Sequence, residues 1–349
     1  MNVIEIIDKL YKLNDCSDEE LLFILSNITD VEKRYLFEKS NDVRQKWYKK
    51  DVYLRGLIEL TNYCKNDCLY CGIRKSNKLA KRYRLKEEEV LECVDVGDGL
   101  GYKTIVLQGG EDTYYTDDVL ESIIMKIKAK YPENVVTLSL GERSYNSYKR
   151  LYDAGAERYL LRHETANEEL YNKIHPGANF KNRINCLKNL KEIGYQVGAG
   201  FMVGIPGQSK EDLVKDLRFL KDFNPHMCGI GPFIPHKDTP FGDQKSGTLD
   251  ETILLLGIIR LLLPKVLLPA TTALSTIAKD GRQKGIKVGA NVIMPNLSPK
   301  NVRDKYSLYN GKVHSNLEAA ECKNDIENEL NKIGYRITIG RGDYPLLDR

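Results

Sequence analysis

From residue 55 onward, short apolar runs alternate with stretches suited to amphipathic helices, and this alternation limits the possible folds. Eight runs are predicted as strands, each followed by a helix-compatible stretch: 56–61, 103–108, 135–140, 157–162, 197–203, 227–232, 266–271 and 287–293. Alternating β and α elements imply a parallel sheet, and eight such units close into a barrel. We therefore expect an α/β protein with a (β/α)8 TIM-type barrel.

The first 50 residues carry a different pattern. Their apolar residues recur at helical spacing, and Ser17 followed by three acidic residues is a good helix start. We expect residues 1–50 to form an N-terminal helical extension. Residues 51–349 are expected to form the barrel with a C-terminal helical segment, because no linker or low-complexity stretch divides them.

The charge balance and the cysteines limit the partners and the compartment. The chain has 53 basic and 49 acidic side chains, so its formal net charge is only +4 and we expect no nucleic-acid partner. Eight cysteines without an N-terminal secretion signal are typical of a reducing compartment. We therefore expect a cytoplasmic protein.

The most apolar stretch of the chain is 253–268. Arg260 and Pro264 interrupt it, and it is shorter than the ~20 residues that span a bilayer. We interpret it as a buried helix followed by a strand and expect no membrane contact.

Three cysteines, Cys64-x3-Cys68-x2-Cys71, follow the first predicted strand. Three thiols within eight residues can bind one inorganic cluster, because two short loops let the sulfurs approach each other. A [4Fe–4S] cluster held by three thiolates leaves one iron open for a small molecule. A partial zinc site and a chance grouping remain as alternatives.

A polar or glycine-rich group follows every predicted strand. The carboxyl ends of barrel strands surround one active site, so we expect these groups to lie together. After the cysteine loop they are 108–112, 139–142, 162–165, 204–207, 231–236, 271–272 and 294–296. Arg162 with the hydroxyl groups of Thr271 and Thr272 suits a small anionic substrate.

Several of these residues also have an ordinary structural explanation. Gly109 and Gly110 can simply form a tight turn. Arg162 and Glu164 can form a surface salt bridge, and Arg183 can be a solvated residue on the face of an amphipathic helix.

Two motifs resemble the radical S-adenosylmethionine (SAM) superfamily. They are the cysteine motif, with Tyr70 before its third cysteine, and the Gly109-Gly110-Glu111 element after the second strand. Longer stretches resemble the HydE family of [FeFe]-hydrogenase maturases. They lie between residues 55 and 312 and include Ile105-Val-Leu-Gln-Gly-Gly-Glu-Asp, Tyr159-Leu-Leu-Arg-His-Glu-Thr-Ala-Asn, Pro269-Ala-Thr-Thr-Ala and Gly289-Ala-Asn-Val-Ile-Met-Pro-Asn.

The resemblance implies three groups of site residues. A [4Fe–4S] cluster would be bound by Cys64, Cys68 and Cys71. SAM would be held by Gly109, Gly110, Glu111, Thr137, Ser139, Glu164, Arg183, Ile293 and Met294. The substrate cavity would be lined by Arg162, Thr271, Thr272, Tyr306 and Tyr309.

The same resemblance implies the reaction and the partners. The enzyme would cleave SAM reductively to a 5′-deoxyadenosyl radical and act on an iron–cyanide–carbonyl–cysteine unit during assembly of the hydrogenase diiron site. It would need an electron donor and would cooperate transiently with a radical SAM partner and a GTPase scaffold.

Other functions stay open. Another enzyme of the same subgroup, such as an amino-acid mutase similar to methylornithine synthase or a sulfur-inserting synthase, would share everything except the substrate. The Pro269-Ala-Thr-Thr motif differs from that typical of methylornithine synthase, and no ligands for the auxiliary cluster of biotin synthase are found. A structural or zinc-binding barrel without activity is the third possibility.

One site departs from the family pattern. Many HydE relatives carry a second Cys-x7-Cys-x2-Cys site near the C-terminus, and the corresponding residues here are His314, Cys322 and Asp325. One thiol cannot hold an ordinary cluster. We predict no stable second cluster and no catalytic role for Cys322.

Overall fold

The structure is a computed structural model that describes residues 1–312 and 318–345. In chain order its helices are α1 (Val3–Leu13), α2 (Asp18–Asn27), α3 (Asp30–Tyr48), α4 (Glu87–Gly99), α5 (Asp117–Lys130), α6 (Tyr145–Asp153), α7 (Glu168–Ile174), α8 (Phe180–Ile193), α9 (Lys210–Phe223), α10 (Leu249–Leu262), α11 (Thr272–Ile277), α12 (Gly281–Val288), α13 (Lys300–Arg303) and α14 (Ala319–Lys332). Its strands are β1 (Asp51–Leu54), β2 (Gly56–Thr61), β3 (Thr104–Gly109), β4 (Val135–Ser139), β5 (Ala156–Leu160), β6 (Gln196–Ala199), β7 (Met202–Val203), β8 (Met227–Cys228), β9 (Gly231–Pro232), β10 (Val292–Ile293) and β11 (Arg336–Thr338).

Eight strand segments close a ring around the core. Strands β2, β3, β4, β5, β6 and β8 form one parallel sheet in this order. Single parallel bridges continue the ring from Met227 to Leu267 and from Pro269 to Val292. A last bridge joins Asn296 to Leu57 on β2 and closes it. The predicted barrel fold is confirmed.

The observed strand boundaries agree with the predicted ones better in the first half of the barrel than in the second. β2 covers the predicted 56–61, whereas the predicted strand 197–203 is broken at Gly200 into β6 and β7. Gly200 has φ +149°, and a Cβ there would lie 2.0 Å from Gly229 O. The predicted strand 287–293 begins only at Val292, because α12 continues to Val288.

The N-terminal residues form α1, α2 and α3, and α3 packs against α10. Ser17 and Glu20 form a capping box at the start of α2. Gly257 permits the close packing, since a Cβ there would lie 2.6 Å from Leu36 Cδ2. Helix α10 is buried from Thr252 onward, as predicted for 253–268. None of the described helices is long and apolar enough to cross a membrane.

A small second sheet and the C-terminal residues cover the amino ends of the barrel strands, which the sequence did not predict. Strand β1 pairs in parallel with β10 on one side and β11 on the other. The fully buried Arg158 donates to Asp343 at 2.7 Å and to Arg341 O at 2.9 Å, and Arg55 donates to Gly342 O. These contacts supply acceptors that buried guanidinium groups require.

Candidate active site

The carboxyl ends of the barrel strands surround a cavity of about 350 Å³. A larger depression of about 750 Å³ lies between α3, α10 and α12, but it contains none of the predicted site residues. The barrel cavity is the candidate active site, because most of those residues line it. They are Cys64, Cys68, Cys71, Gly109, Gly110, Glu111, Ser139, Arg162, Glu164, Arg183, Thr271, Thr272, Met294, Tyr306 and Tyr309.

The loop that carries the three cysteines is held by hydrogen bonds on two sides. The His175 ring bonds to Tyr171 O through Nδ1 and faces the Tyr70 hydroxyl through Nε2, each at 2.9 Å. A carbonyl acceptor requires the proton on Nδ1, so the Tyr70 hydroxyl donates to Nε2. The Gly72 N–H donates to Leu308 O at 2.8 Å. This support places the three thiols along one cavity wall.

The three thiols are buried and stay protonated until a metal binds them. Burial raises the pKa of all three, to about 12 for Cys71, so a bound metal must displace their protons. No group of three or more His, Cys, Asp or Glu among the described residues is arranged to hold one metal ion. Three thiols that line one cavity fit a cluster bound by thiolates.

Gly110 is required by close packing at the end of β3. A Cβ at this position would lie 2.2 Å from Tyr63 O and 2.8 Å from Cys64 Cβ. The glycine therefore lets the end of β3 approach the cysteine loop, and its main chain is open to the cavity. Gly110 has a packing role that a tight turn alone does not explain.

Arg183 is a buried cavity residue and does not lie on a solvated helix face. Its Nε donates to Glu142 at 2.6 Å, and Nη1 donates to the Arg162 carbonyl at 2.7 Å. Its Nη2 lies 3.9 Å from Glu111. Burial alone would lower the pKa of Arg183, but Tyr171, Glu142 and other neighbours raise it above its usual value. The arginine stays charged beside two carboxylates.

Arg162 and Glu164 form an ion pair in the cavity, with 2.9 Å between Nη2 and Oε2. Neither atom meets hydrogen-bond geometry in this contact, so both groups keep bonding capacity for a ligand. Glu164 has a left-handed backbone with φ +67°, which is strained for a residue other than glycine. His163, which lies between them in sequence, is fully buried on the side away from the cavity, and its ring faces Asp216 at 3.3 Å.

Hydroxyl groups also line the cavity. The Thr271 hydroxyl is buried and has no hydrogen-bond partner among the described residues. Gln108 donates weakly to the Tyr306 hydroxyl at 3.4 Å. An arginine and an unpartnered hydroxyl group in one cavity suit an anionic ligand, because both can donate hydrogen bonds to it.

Thr137 and Ile293 do not line this cavity. The two residues lie on β4 and β10, where successive side chains point to opposite faces. Ile293 packs in the hydrophobic core, while its neighbour Met294 lines the cavity. Thr137 shares the face of Ser139 but is buried deeper in the barrel, and its hydroxyl has no partner within the described chain.

Sequence reasoning missed the buried pair of Glu59 and Lys312, which also lines the cavity. Lys312 Nζ lies 2.5 Å from Glu59 Oε1 and 2.8 Å from Tyr306 O. Asn296 donates to the other Glu59 oxygen at 2.9 Å. The available signal was a single carboxylate inside the apolar strand β2, because a fully buried charge needs a partner.

The structure describes two of the three residues that correspond to the second family site. His314 lies outside the described residues. Cys322 is half-buried on α14 and packs against the core, while Asp325 on the same helix is exposed. The absence of a stable second cluster stays a prediction.

Comparisons with known proteins agree with the interpretation of this cavity as an active site. A family model described as the radical SAM superfamily matches residues 58–220. The [FeFe] hydrogenase maturase subunit HydE of Thermotoga maritima is 49% identical over 278 residues, 80% of this chain and 79% of that protein. The 3-methylornithine synthase of Methanosarcina acetivorans is 31% identical over 82% of this chain and 81% of its own length.

Solved structures share the fold. Methylornithine synthase aligns with a TM-score of 0.84 at 25% identity, covering 95% of this chain and 97% of that chain. A structure of HydG, a maturase of the [FeFe]-hydrogenase, aligns with a TM-score of 0.81 at 21% identity, covering 97% of this chain and 76% of that chain.

The barrel, its cysteine loop and these matches define a radical SAM enzyme. Such enzymes use an iron–sulfur cluster together with SAM, and the thiols, carboxylates and arginine around the cavity fit both. Within the superfamily, the chain belongs to the HydE family of [FeFe]-hydrogenase maturases.

Proposed function

We propose that this enzyme cleaves SAM reductively and acts on an iron–cyanide–carbonyl–cysteine unit during assembly of the hydrogenase diiron site. The 49% identity to a HydE maturase carries the proposal. A [4Fe–4S] cluster on Cys64, Cys68 and Cys71 and SAM would supply the radical chemistry, in which one electron breaks the C5′–S bond to give methionine and a 5′-deoxyadenosyl radical. The substrate's cysteine-derived sulfur is the proposed point of attack.

The residues around the cavity divide into two proposed groups. Glu111, Glu164 and Arg183 offer opposite charges to the ammonium and carboxylate groups of SAM. The open main chain at Gly110 and the side chains of Ser139 and Met294 would complete that wall. Arg162, Thr271, Thr272, Tyr306 and Tyr309 would hold and orient the anionic substrate.

The composition of the cavity lining suits a radical reaction. The cavity is lined by apolar side chains as well as polar ones, among them Phe233, Leu308 and Ile234. Apolar walls together with two bound ligands would leave little room for water beside a reactive radical. The protein's own contribution is therefore to position two ligands and exclude solvent, while the cofactors supply the redox chemistry.

The proposal includes partners in the cytoplasm. A radical SAM maturase would make the iron unit, and a GTPase scaffold would receive the product. An electron donor would reduce the cluster. Contacts with these proteins would be transient, because the substrate and product must pass from one to the next.

The test is an anaerobic assay with reconstituted, dithionite-reduced protein. SAM is added with and without the iron–cyanide–carbonyl–cysteine complex, and adenosyl products are followed by mass spectrometry. We expect an adenosylated adduct that requires the complex. Formation of 5′-deoxyadenosine alone, with no adduct and no dependence on the complex, would contradict the proposed substrate.

A second candidate is an amino-acid mutase, because a 3-methylornithine synthase matches most of both chains. The same assay separates the two functions when lysine, an isomer of 3-methylornithine, replaces the iron complex. Lysine-dependent turnover without adduct formation would favour the mutase, while the higher identity to HydE favours the maturase.

A further inference from the structure

A second, smaller depression lies on the outer side of the cysteine loop. It has a volume of about 240 Å³, and its lining includes Gly72, the residue directly after Cys71. A Cβ on Gly72 would lie 2.2 Å from Ser307 O and 2.3 Å from the His236 ring. Gly72 therefore packs closely against Ser307 and His236, and it brings the end of the cysteine loop into the wall of this depression.

The loop around this depression carries positive charge that is not neutralised. Lys75, Lys78 and Lys81, which we call the lysine patch, are exposed and make no ion pair within residues 1–312 and 318–345. The neighbouring arginines differ, since Arg74 pairs with Asp67 at 2.7 Å. The lysines have no evident role in holding the loop together.

Arg82 differs from the lysine patch, because its guanidinium is held by hydrogen bonds within the loop. Its guanidinium donates to four backbone carbonyl groups, among them Ile73 O at 2.8 Å and Arg74 O at 2.6 Å. The fold of the loop thus rests on Arg82 and leaves the lysine patch available for a partner.

An exposed apolar side chain and further charges surround the patch. Leu79 is 74% exposed between Lys78 and Lys81. Lys305 adds a positive charge at the edge of the depression, while Asp238 and Asp304 add negative charges there. In the lining of the depression Lys81 and Lys305 balance the two aspartates, and the exposed Lys75 and Lys78 on the same loop add two positive charges beside it.

We propose that the lysine patch and Leu79 dock a small acidic iron–sulfur protein of the ferredoxin class, which reduces the cluster. This inference rests on the proposed function. The donor would lose one electron and the cluster would gain one, with no bond formed or broken. Opposite charges steer such partners together, and interfaces between redox proteins are typically small.

The position of the patch is what favours an electron donor over other partners. Electron transfer requires the donor to approach the cluster closely, and the depression reaches the residue next to Cys71. A substrate or product would instead use the cavity on the inner side of the loop. The two sides of one loop would thus serve electrons and ligands separately.

The test compares two matched triple variants of the cluster-loaded protein. The first is Lys75→Glu, Lys78→Glu and Lys81→Glu. The control changes three other exposed lysines, Lys12→Glu, Lys46→Glu and Lys188→Glu. Cluster reduction is followed by stopped-flow absorbance with a photoreduced plant-type [2Fe–2S] ferredoxin and separately with dithionite. Binding of oxidised ferredoxin is measured by biolayer interferometry at low and high salt.

We expect the patch variant to be reduced by ferredoxin roughly tenfold or more slowly at low salt, with weaker binding. Its reduction by dithionite and the behaviour of the control variant should not change. Equal ferredoxin rates and affinities in both variants would overturn the proposal. So would a patch variant that also loses dithionite reduction, or patch-dependent reduction by flavodoxin but not by ferredoxin. Failure of the unaltered enzyme to cleave SAM with dithionite would instead contradict the proposed function.

Discussion

Lys312 and Glu59 form a buried ion pair that joins the segment after the last barrel strand to the first strand of the barrel ring, with 2.5 Å between Nζ and Oε1. The pair also fixes Tyr306, because Lys312 donates to its carbonyl and its ammonium group lies 4.6 Å from the centre of its ring. Tyr306 is one of the proposed substrate residues. The ion pair therefore couples folding stability to the shape of the cavity.

Removal of one partner should cost more than removal of both. Lys312→Met leaves the Glu59 carboxylate buried with Asn296 as its remaining side-chain partner, and we expect a loss of about 3–5 kcal/mol in the free energy of unfolding. The double variant Lys312→Met, Glu59→Gln should recover a large part of that loss. Urea unfolding of the unaltered protein, Lys312→Met, Glu59→Gln and the double variant measures the coupling, and strictly additive effects would show that the charges do not interact.

The Thr271 hydroxyl should matter for substrate use and not for folding. It is buried without a partner, so Thr271→Val should leave the free energy of unfolding unchanged or slightly higher. Substrate-dependent adduct formation should fall roughly tenfold or more, because a hydrogen bond to a charged ligand is lost. Cluster absorbance and SAM binding should persist.

Thr252→Val is the matched control for that change. Thr252 is buried in α10, and its hydroxyl donates to Thr248 O at 2.8 Å, away from the cavity. This variant should keep its adduct formation. Loss of the cluster in Thr271→Val, or equal losses of adduct in both variants, would contradict the proposed role of Thr271.

Gly110→Ala and Gly109→Ala should differ sharply in how much iron–sulfur cluster they hold after reconstitution. The alanine methyl group at 110 would meet Tyr63 O at 2.2 Å, and backbone cannot easily move, so the cysteine loop must shift. At 109 the nearest atom is Thr61 Cγ2 at 3.0 Å, which needs only a small adjustment. Iron content and absorbance after reconstitution should fall in the first variant and stay near normal in the second. Equal retention would mean that the loop tolerates the shift.

His175 should make the cluster-free protein sensitive to acid. Burial lowers the pKa of His175 to about 3, whereas it is near 6.5 in the unfolded chain. Between these values only the unfolded state binds the proton, so stability falls as the pH decreases from 6.5 toward 3. The contribution is about 2 kcal/mol between pH 7 and 5.

Urea unfolding at several pH values checks this linkage. His175→Gln should have a shallower dependence on pH than the unaltered protein, whatever its stability at neutral pH. His163, whose pKa burial also lowers to about 3, keeps part of the dependence in both proteins. Identical slopes would show that His175 takes up a proton in the folded state.

The barrel was predictable because its strands are short apolar runs with regular spacing, and β2 to β5 lie within two residues of their expected bounds. Strands β1 and β11 were missed, since four and three residues carry too little pattern to be recognised. Strand ends also predicted most of the cavity lining. They could not reveal the contact between Glu59 and Lys312, because 253 residues separate the two in sequence.

The pairing of β1 with β11 has a consequence for biosynthesis. β1 lies near residue 51 and β11 near residue 337, and the acceptors for Arg55 and Arg158 lie at residues 341–343. Domains fold as units while the ribosome extends the chain from its N-terminus. The base of this barrel is incomplete until residues 341–343 have emerged from the ribosome, so a translation arrest before residue 341 would leave Arg55 without its Gly342 acceptor and Arg158 without its Asp343 acceptor.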